Sequence, residues 1–270
     1  MGNLIKMDFY RMLTGRAFKA NLIIVTLLSI LASPIGKAIA NAAKAFADEM
    51  AKQGEPIEGL ESMLFPATVK LSDLLISPFG FNILIICVLI SVISFGYADI
   101  ANGFIKNIAG QLPHKGYTVI SKFIVICFHN FIFMVCGLIG NVIGEAITRQ
   151  IIVDDGVPAA VGTFFLKLLL LQSLCTVLLF FTTGVKLKTF ATILGVAFST
   201  GLLGAAYLGI NNVISRVFNT DSVDVSEYAP DQLLTQSGNI AVFNALIVSI
   251  VISAIFLVMT YKIFNKKDVK

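Results

Sequence analysis

"FGFNILIICVLISVISFGYADIANGFIKNIAGQLPHKG", residues 79–116, changes character half-way along. Up to Gly96 it is almost wholly apolar. From there it carries Asp99, Asn102, Lys106, Asn107, His114 and Lys115, with Pro113 near its end, and a second apolar run begins at Val119. A continuous apolar run excludes a membrane β-strand, whose two faces alternate in polarity residue by residue. A helix lets ~20 apolar residues cross hydrocarbon with every backbone group bonded. The stretch therefore reads as helix, polar interruption, helix.

The rest of the chain follows the same pattern. Of its 270 residues 57% are hydrophobic and 13% charged, against about 25% charged in soluble domains. The expectation is an all-α membrane protein, one domain over residues 1–270, with six transmembrane helices at about 18–39, 79–96, 119–146, 163–185, 190–210 and 240–264. The first run follows basic residues and ends near Ala-Ser-Pro, as a secretory signal would. Its apolar stretch is too long for one and five more follow, so it reads as a retained signal-anchor.

Charge orients the spans. With the N-terminus inside, the cytoplasmic segments hold Lys6, Arg11, Arg16, Lys19, Lys106, Lys115, Lys122, Lys186, Lys188, Lys262, Lys266, Lys267 and Lys270, most of the 20 Lys and Arg residues. Of the 16 acidic residues only Asp8, Asp99 and Asp268 fall there. The Lys and Arg bias sets topology, so both termini are expected in the cytoplasm. The net charge of +4 then reflects helix ends beside anionic lipid headgroups, and no nucleic acid is implied. Cys87, Cys127, Cys136 and Cys175 fall in apolar spans without Cys-x-x-Cys spacing, so neither a disulfide framework nor a zinc site is expected. Outer segments without an Asn-x-Ser/Thr acceptor, and an N-terminus without a myristoylation signal, are compatible with a bacterial plasma (inner) membrane.

Before the first span, "MGNLIKMDFYRMLTGRAFK" sets Ile5, Phe9, Met12 and Leu13 on one helical sector, with Leu4 and Met7 outside it. It reads as a short helix in the cytoplasmic interface with its basic residues towards headgroups, or as a snorkelling flank. Residues 40–78 and 211–239 are the large outer segments, each a candidate cap. Two small-residue ridges stand out: Gly140 and Gly144 in the third span, and Ala197, Gly201, Ala205 and Gly209 at intervals of four in the fifth. Such ridges let membrane helices approach closely, within one bundle or across a subunit interface.

On a helix, residues 99–112 place Ile100, Ala101, Phe104, Ile105, Ile108 and Leu112 within a sector of roughly 140°, with Asp99, Asn102, Lys106 and Asn107 outside it. An amphipathic helix of this kind rests on lipid or docks in a groove of a partner. A lipid-resting helix usually carries several Lys or Arg on its polar side. Here Lys106 stands alone beside Asn102, Gly103 and Asn107, which favours docking.

Asp99, then Asn-Gly-Phe-Ile-Lys-Asn-Ile at 102–108, then Ser121-Lys122 opening the third span, resembles the permease subunits of type 2 ATP-binding-cassette (ABC) exporters. The N-terminal "NLIKMDFYRML", the six spans and the two cytoplasmic termini fit the same resemblance, which covers most of the chain. The family commonly has Glu where Asp99 stands and Thr or a similar small residue where Phe104 stands. The resemblance implies that Asp99, Asn102, Gly103, Phe104, Ile105, Lys106 and Asn107 belong to a coupling helix contacted by a separate cytoplasmic ATPase subunit. It also implies a second permease copy or related permease, and export of peptides, lantibiotics or bacitracin-like antibiotics as a resistance or immunity function. ATP and Mg would then sit on the partner subunit. Gly-x-x-x-x-Gly-Lys-Ser/Thr is missing from this sequence, so no cofactor or catalytic role is expected of this chain.

Two other readings compete with export. An intramembrane enzyme would need a constellation of ionisable groups. The candidates are His129 with Asn130, the i, i+4 pair Glu145 and Arg149, and His114 in a turn. His129 is expected to bond a neighbouring helix, Glu145 and Arg149 to form a helix-end ion pair, and two histidines so placed make no metal site. A motor-independent immunity or scaffold protein is the other rival. Gln172, Asn244, Ser249 and Ser253 read as bridges between helices, and Lys167 as a residue snorkelling from an outer helix end.

Overall fold

The computed structural model describes residues 1–52, 68–70, 74, 78–104, 114–148, 151–153, 156–218, 224–235 and 242–266. Its long helices are α2 (Arg16–Lys52), α3 (Pro78–Ala101), α4 (Tyr117–Thr148), α5 (Val157–Leu179) and α9 (Val242–Lys266), preceded by α1 (Gly2–Thr14). The shorter α6 (Lys188–Thr200), α7 (Leu203–Phe218) and α8 (Pro230–Thr235) lie between α5 and α9. Among the described residues five helices are long and apolar enough to cross a membrane, or six passages if bent α6 and α7 count as one. The chain is a multi-pass α-helical membrane protein.

Helices α3, α4 and α5 form the centre, α2 packs on α3 and α4, and α9 packs on α5. Helix α5 is enclosed over most of its length from Leu166 onward, while its first half exposes Val157, Val161 and Phe165. The outward faces of α2 and α9 expose Ile23, Leu27, Leu31, Ile250 and Val258, the side chains a lipid solvent requires. Tight α2–α4 packing rests on Gly140 and Gly144: a Cβ on Gly144 would lie 2.7 Å from the Ile30 carbonyl oxygen, and one on Gly140 2.7 Å from Ser29 Cβ. That ridge is therefore a packing seam inside the bundle.

The fifth passage differs from the uninterrupted span expected over 190–210. Helix α6 has 13 residues, about 20 Å at 1.5 Å per residue, too short for a core of about 30 Å. At Gly201, φ +71°, the chain turns through 83° into α7. That left-handed conformation is cheap only for glycine. Ala197 and Gly201 consequently share no helical face with Ala205 and Gly209, and the expected four-residue ridge does not form. Ala205 and Gly209 are exposed.

Segments assigned by charge to the cytoplasm meet at one end of the bundle: α1, the end of α3, the start of α4, Lys188 over the Tyr97 ring at 5.4 Å, and Tyr261 of α9 against Gly116. At the opposite end Thr68–Lys70 (β1) pairs in parallel with Ile151–Val153 (β2), Thr68 facing Ile151. Asn141 there donates to the Leu74 carbonyl at 2.6 Å.

Candidate functional site

Residues 98–104 are described at the α1 end, and they alter the expected register. Helix α3 continues through Asp99 to Ala101. Asn102 and Gly103 form a turn, in which the Gly103 N–H bonds the Ile100 carbonyl at 3.3 Å and φ is +64°. A left-handed glycine just past the last helical residue is a common helix stop. The helix expected over 99–112 therefore does not start at Asp99. Ile105, Lys106 and Asn107 lie outside the described residues, as do residues 108–113.

Asp99 is the centre of a buried charge cluster. Leu4, Asp8 and Met12, spaced by four, form the face of α1 buried against α4, so Leu4 belongs to the packed face and not outside it. From that face Asp8 accepts a hydrogen bond from the Ser121 hydroxyl at 2.6 Å. One turn on, the Arg11 guanidinium reaches Asp99 at 2.5 Å and Asp8 at 3.7 Å. Its Cζ lies 3.9 Å from the centre of the Phe104 ring, a cation–π contact. The Lys122 ammonium meets the other Asp99 oxygen at 2.8 Å, donates to the Phe95 carbonyl at 3.3 Å and lies 4.7 Å from the Phe95 ring centre.

Asp8 is 2% exposed, Asp99 4% and Lys122 1%. Two acids face two bases, so the cluster balances, as buried charge must if it is to be tolerated. Burial pushes the Asp8 carboxyl above its usual range. Asp99 adds to the rise, while the Ser121 hydroxyl, Lys122 and Arg11 pull the other way. The arrangement is mechanical: α1, α3 and α4 are pinned at the two flanks of the 102–113 segment.

The expectation that α1 turns its basic residues to headgroups fails for Arg11, which turns into this cluster. Its signal in the sequence is Asp8, an acid in an otherwise basic N-terminal segment. The pairs themselves, Arg11 with Asp99 and Ser121 with Asp8, join residues too far apart in the chain for spacing to reveal.

The other polar candidates separate clearly. His129 is held as expected by a neighbouring helix. Asn130 donates to Gln172 at 2.8 Å, leaving its carbonyl to accept from His129 Nδ1 at 3.2 Å, so Nε2 is the acceptor for the Ser91 hydroxyl at 2.9 Å. The ring stacks on Phe133 at 4.4 Å. Gln172 also donates to the Phe123 carbonyl at 3.3 Å, bridging α5 and α4 as expected. Glu145 is buried at the far end of α4, where the Ser33 and Thr148 hydroxyls lie 3.1 Å apart; Arg149 lies outside the described residues. Among the described residues no three His, Cys, Asp or Glu side chains group together to hold a metal ion.

Lys167 does not snorkel. It is 0% exposed, and its ammonium donates to the carbonyls of Leu233 at 3.1 Å and Leu234 at 2.5 Å. Part of the outer segment 211–239 thus enters the bundle instead of capping it. No protein-family model matches the chain, and no curated protein matches it in sequence.

Proposed function

We propose that the chain is the membrane-spanning, non-catalytic permease subunit of an ATP-driven ABC exporter, moving an amphipathic peptide or antibiotic out of a bacterial cell. A separate cytoplasmic ATPase, carrying ATP and Mg, docks on the 102–113 segment, and a second permease completes the path. The supporting observation is the clamp at the base of that segment. Asp99 before it and Lys122 after it are paired at 2.8 Å, with Arg11 of α1 on the same carboxylate. A push on the segment is delivered through that pair to α1, α3 and α4 together. The sequence adds the uncharged polar groups Asn102 and Asn107, which suit a protein surface better than phospholipid.

Co-purification tests this reading. Tagged protein is extracted from its native membranes in mild detergent and assayed for bound ATPase, beside an Asn102→Trp, Lys106→Glu variant that leaves the turn glycine intact. The expected result is ATPase activity with the wild type and its loss in a variant that still folds. Wild type that brings down no ATPase under several gentle conditions overturns the proposal in favour of a motor-independent membrane protein whose segment rests on lipid.

A further inference from the structure

We infer that α8 is a plug in the end of the bundle opposite α1, latched by Lys167 and withdrawn together with α7 about Gly201. Lys167 lies ten residues beyond Val157, the first residue of α5, or about 15 Å along the helix axis at 1.5 Å per residue. The Leu233 and Leu234 carbonyls that it holds lie within the reach of its side chain from that point. Helix α8 packs on α5, α9 and α3, with Leu233 and Leu234 buried. It therefore fills the space between those helices.

Six residues are too few for a helix that holds itself together, so the place of α8 depends on what grips it. Leu234 and Leu233 are in its last turn, where carbonyls lack helical partners and the helix dipole is negative. An ammonium is the complement of that end. An apolar side chain of similar length would fill the same volume without the cost of dehydrating a charge. What Lys167 adds is a grip on backbone oxygen, which is lost when α8 moves.

The body that moves is larger than α8. The Tyr207 hydroxyl of α7 donates to Asp231 at 2.8 Å. Asn211 donates to Asp224 at 2.7 Å and accepts from the Val225 N–H at 2.9 Å. These bonds join α7 to the turn before α8 and to α8 itself, while the opposite face of α7 is exposed at Leu208, Val213 and Val217. At the other end of α7, Gly201 has nothing within 4 Å of its Cβ position. One body, a glycine hinge and one cationic latch make a device that opens a path at this end of the bundle.

The inference concerns the chain itself and stands whether or not an ATPase docks, so a failed co-purification leaves its test intact. The full chain is reconstituted in liposomes with its native cysteines replaced by serine or alanine and Leu234→Cys introduced. A membrane-impermeant maleimide is then added from the side opposite α1. Labelling is expected to be slow with Lys167 present and on the order of tenfold faster or more in a folded Lys167→Met protein, because labelling follows the open population. Equal rates in two folded proteins overturn the latch. Hydrogen exchange on the unmutated chain provides the second measurement: amides of 231–235 are expected to exchange together and faster than those of α5 around Lys167. Exchange of α8 as slow as that of α5 overturns the plug.

Discussion

Removing the Asp99 carboxylate should destabilise the chain more than removing either cation that it binds. Asp99→Ala takes the ion-pair partner at 2.8 Å from Lys122, which is 1% exposed and keeps the Phe95 carbonyl at 3.3 Å and the Phe95 ring at 4.7 Å. Stranding one member of a buried pair costs about 3–5 kcal/mol, a fall in melting temperature of roughly 6–20 °C at about 2–4 °C per kcal/mol. Lys122→Ala is milder, because Asp99 keeps Arg11 at 2.5 Å; the loss of one charged hydrogen bond costs about 1.5–3 kcal/mol. In the double variant Asp99→Leu, Lys122→Met the charges that remain, Arg11 and Asp8 at 3.7 Å, still balance, so stability should return to within about 1–2 kcal/mol of wild type. The assay is thermal unfolding of all four proteins in one detergent at one pH. Equal single-variant losses, or a double variant that loses the sum of the two, would refute the reasoning. If the proposed export function holds and the pair transmits force, the restored double variant should still bind the proposed ATPase subunit, which would hydrolyse ATP without transport.

Burial raises the Asp8 carboxyl above its usual 3.8, so the folded chain holds that proton more tightly than the unfolded chain. The stabilisation is fully present below the unfolded value and is lost as pH rises through the folded one. Asp8→Asn should therefore gain stability relative to wild type as pH climbs from about 3.8; a difference that stays flat in a pH series of melting curves contradicts this. Gly144→Leu drives a side chain into the Ile30 carbonyl and should cost about 1–3 kcal/mol or more, whereas Gly209→Leu meets open space and should stay within about 0.5 kcal/mol. Comparable melting losses for the two would mean that both glycines pack alike. His129→Phe keeps a ring against Phe133 but strands the Ser91 hydroxyl and the Asn130 carbonyl, costing about 1–3 kcal/mol. Under the proposed export function its transport rate per assembled complex should be unchanged, and a specific loss of transport would give His129 a functional role.

Long helices were legible because the bilayer demands continuous apolar runs, and those runs survive in one dimension. The third and sixth spans, expected at 119–146 and 240–264, are observed as Tyr117–Thr148 and Val242–Lys266. Helix α2 overshoots its expected end at 39 and runs to Lys52, since the Ala-rich sequence beyond the apolar run is itself helix-prone. The break at Gly201 was not legible. Hydropathy records how apolar a run is but not its direction, and α6 and α7 are apolar on both sides of an 83° turn. A small-residue ridge read at intervals of four assumes one uninterrupted helix, so the ridge failed with the span.

Arg11 and Lys167 depart from their expected places for a related reason. Near a membrane the default for a lone Lys or Arg is an exit to water or headgroups, and that rule holds only where no other part of the chain arrives. At Arg11 the arriving part is Asp99 of α3, and at Lys167 it is α8; both come from sequence positions that periodicity cannot connect. The two burials differ in what fixes them. Asp99 meets two cations on two helices, so moving one of those helices strands a charge. Lys167 reaches the carbonyl end of a short helix, where the last carbonyls lack helical partners and the dipole is negative. Side-chain charge pairs therefore fix one register among α1, α3 and α4, and the ammonium at Lys167 marks where α8 enters the bundle.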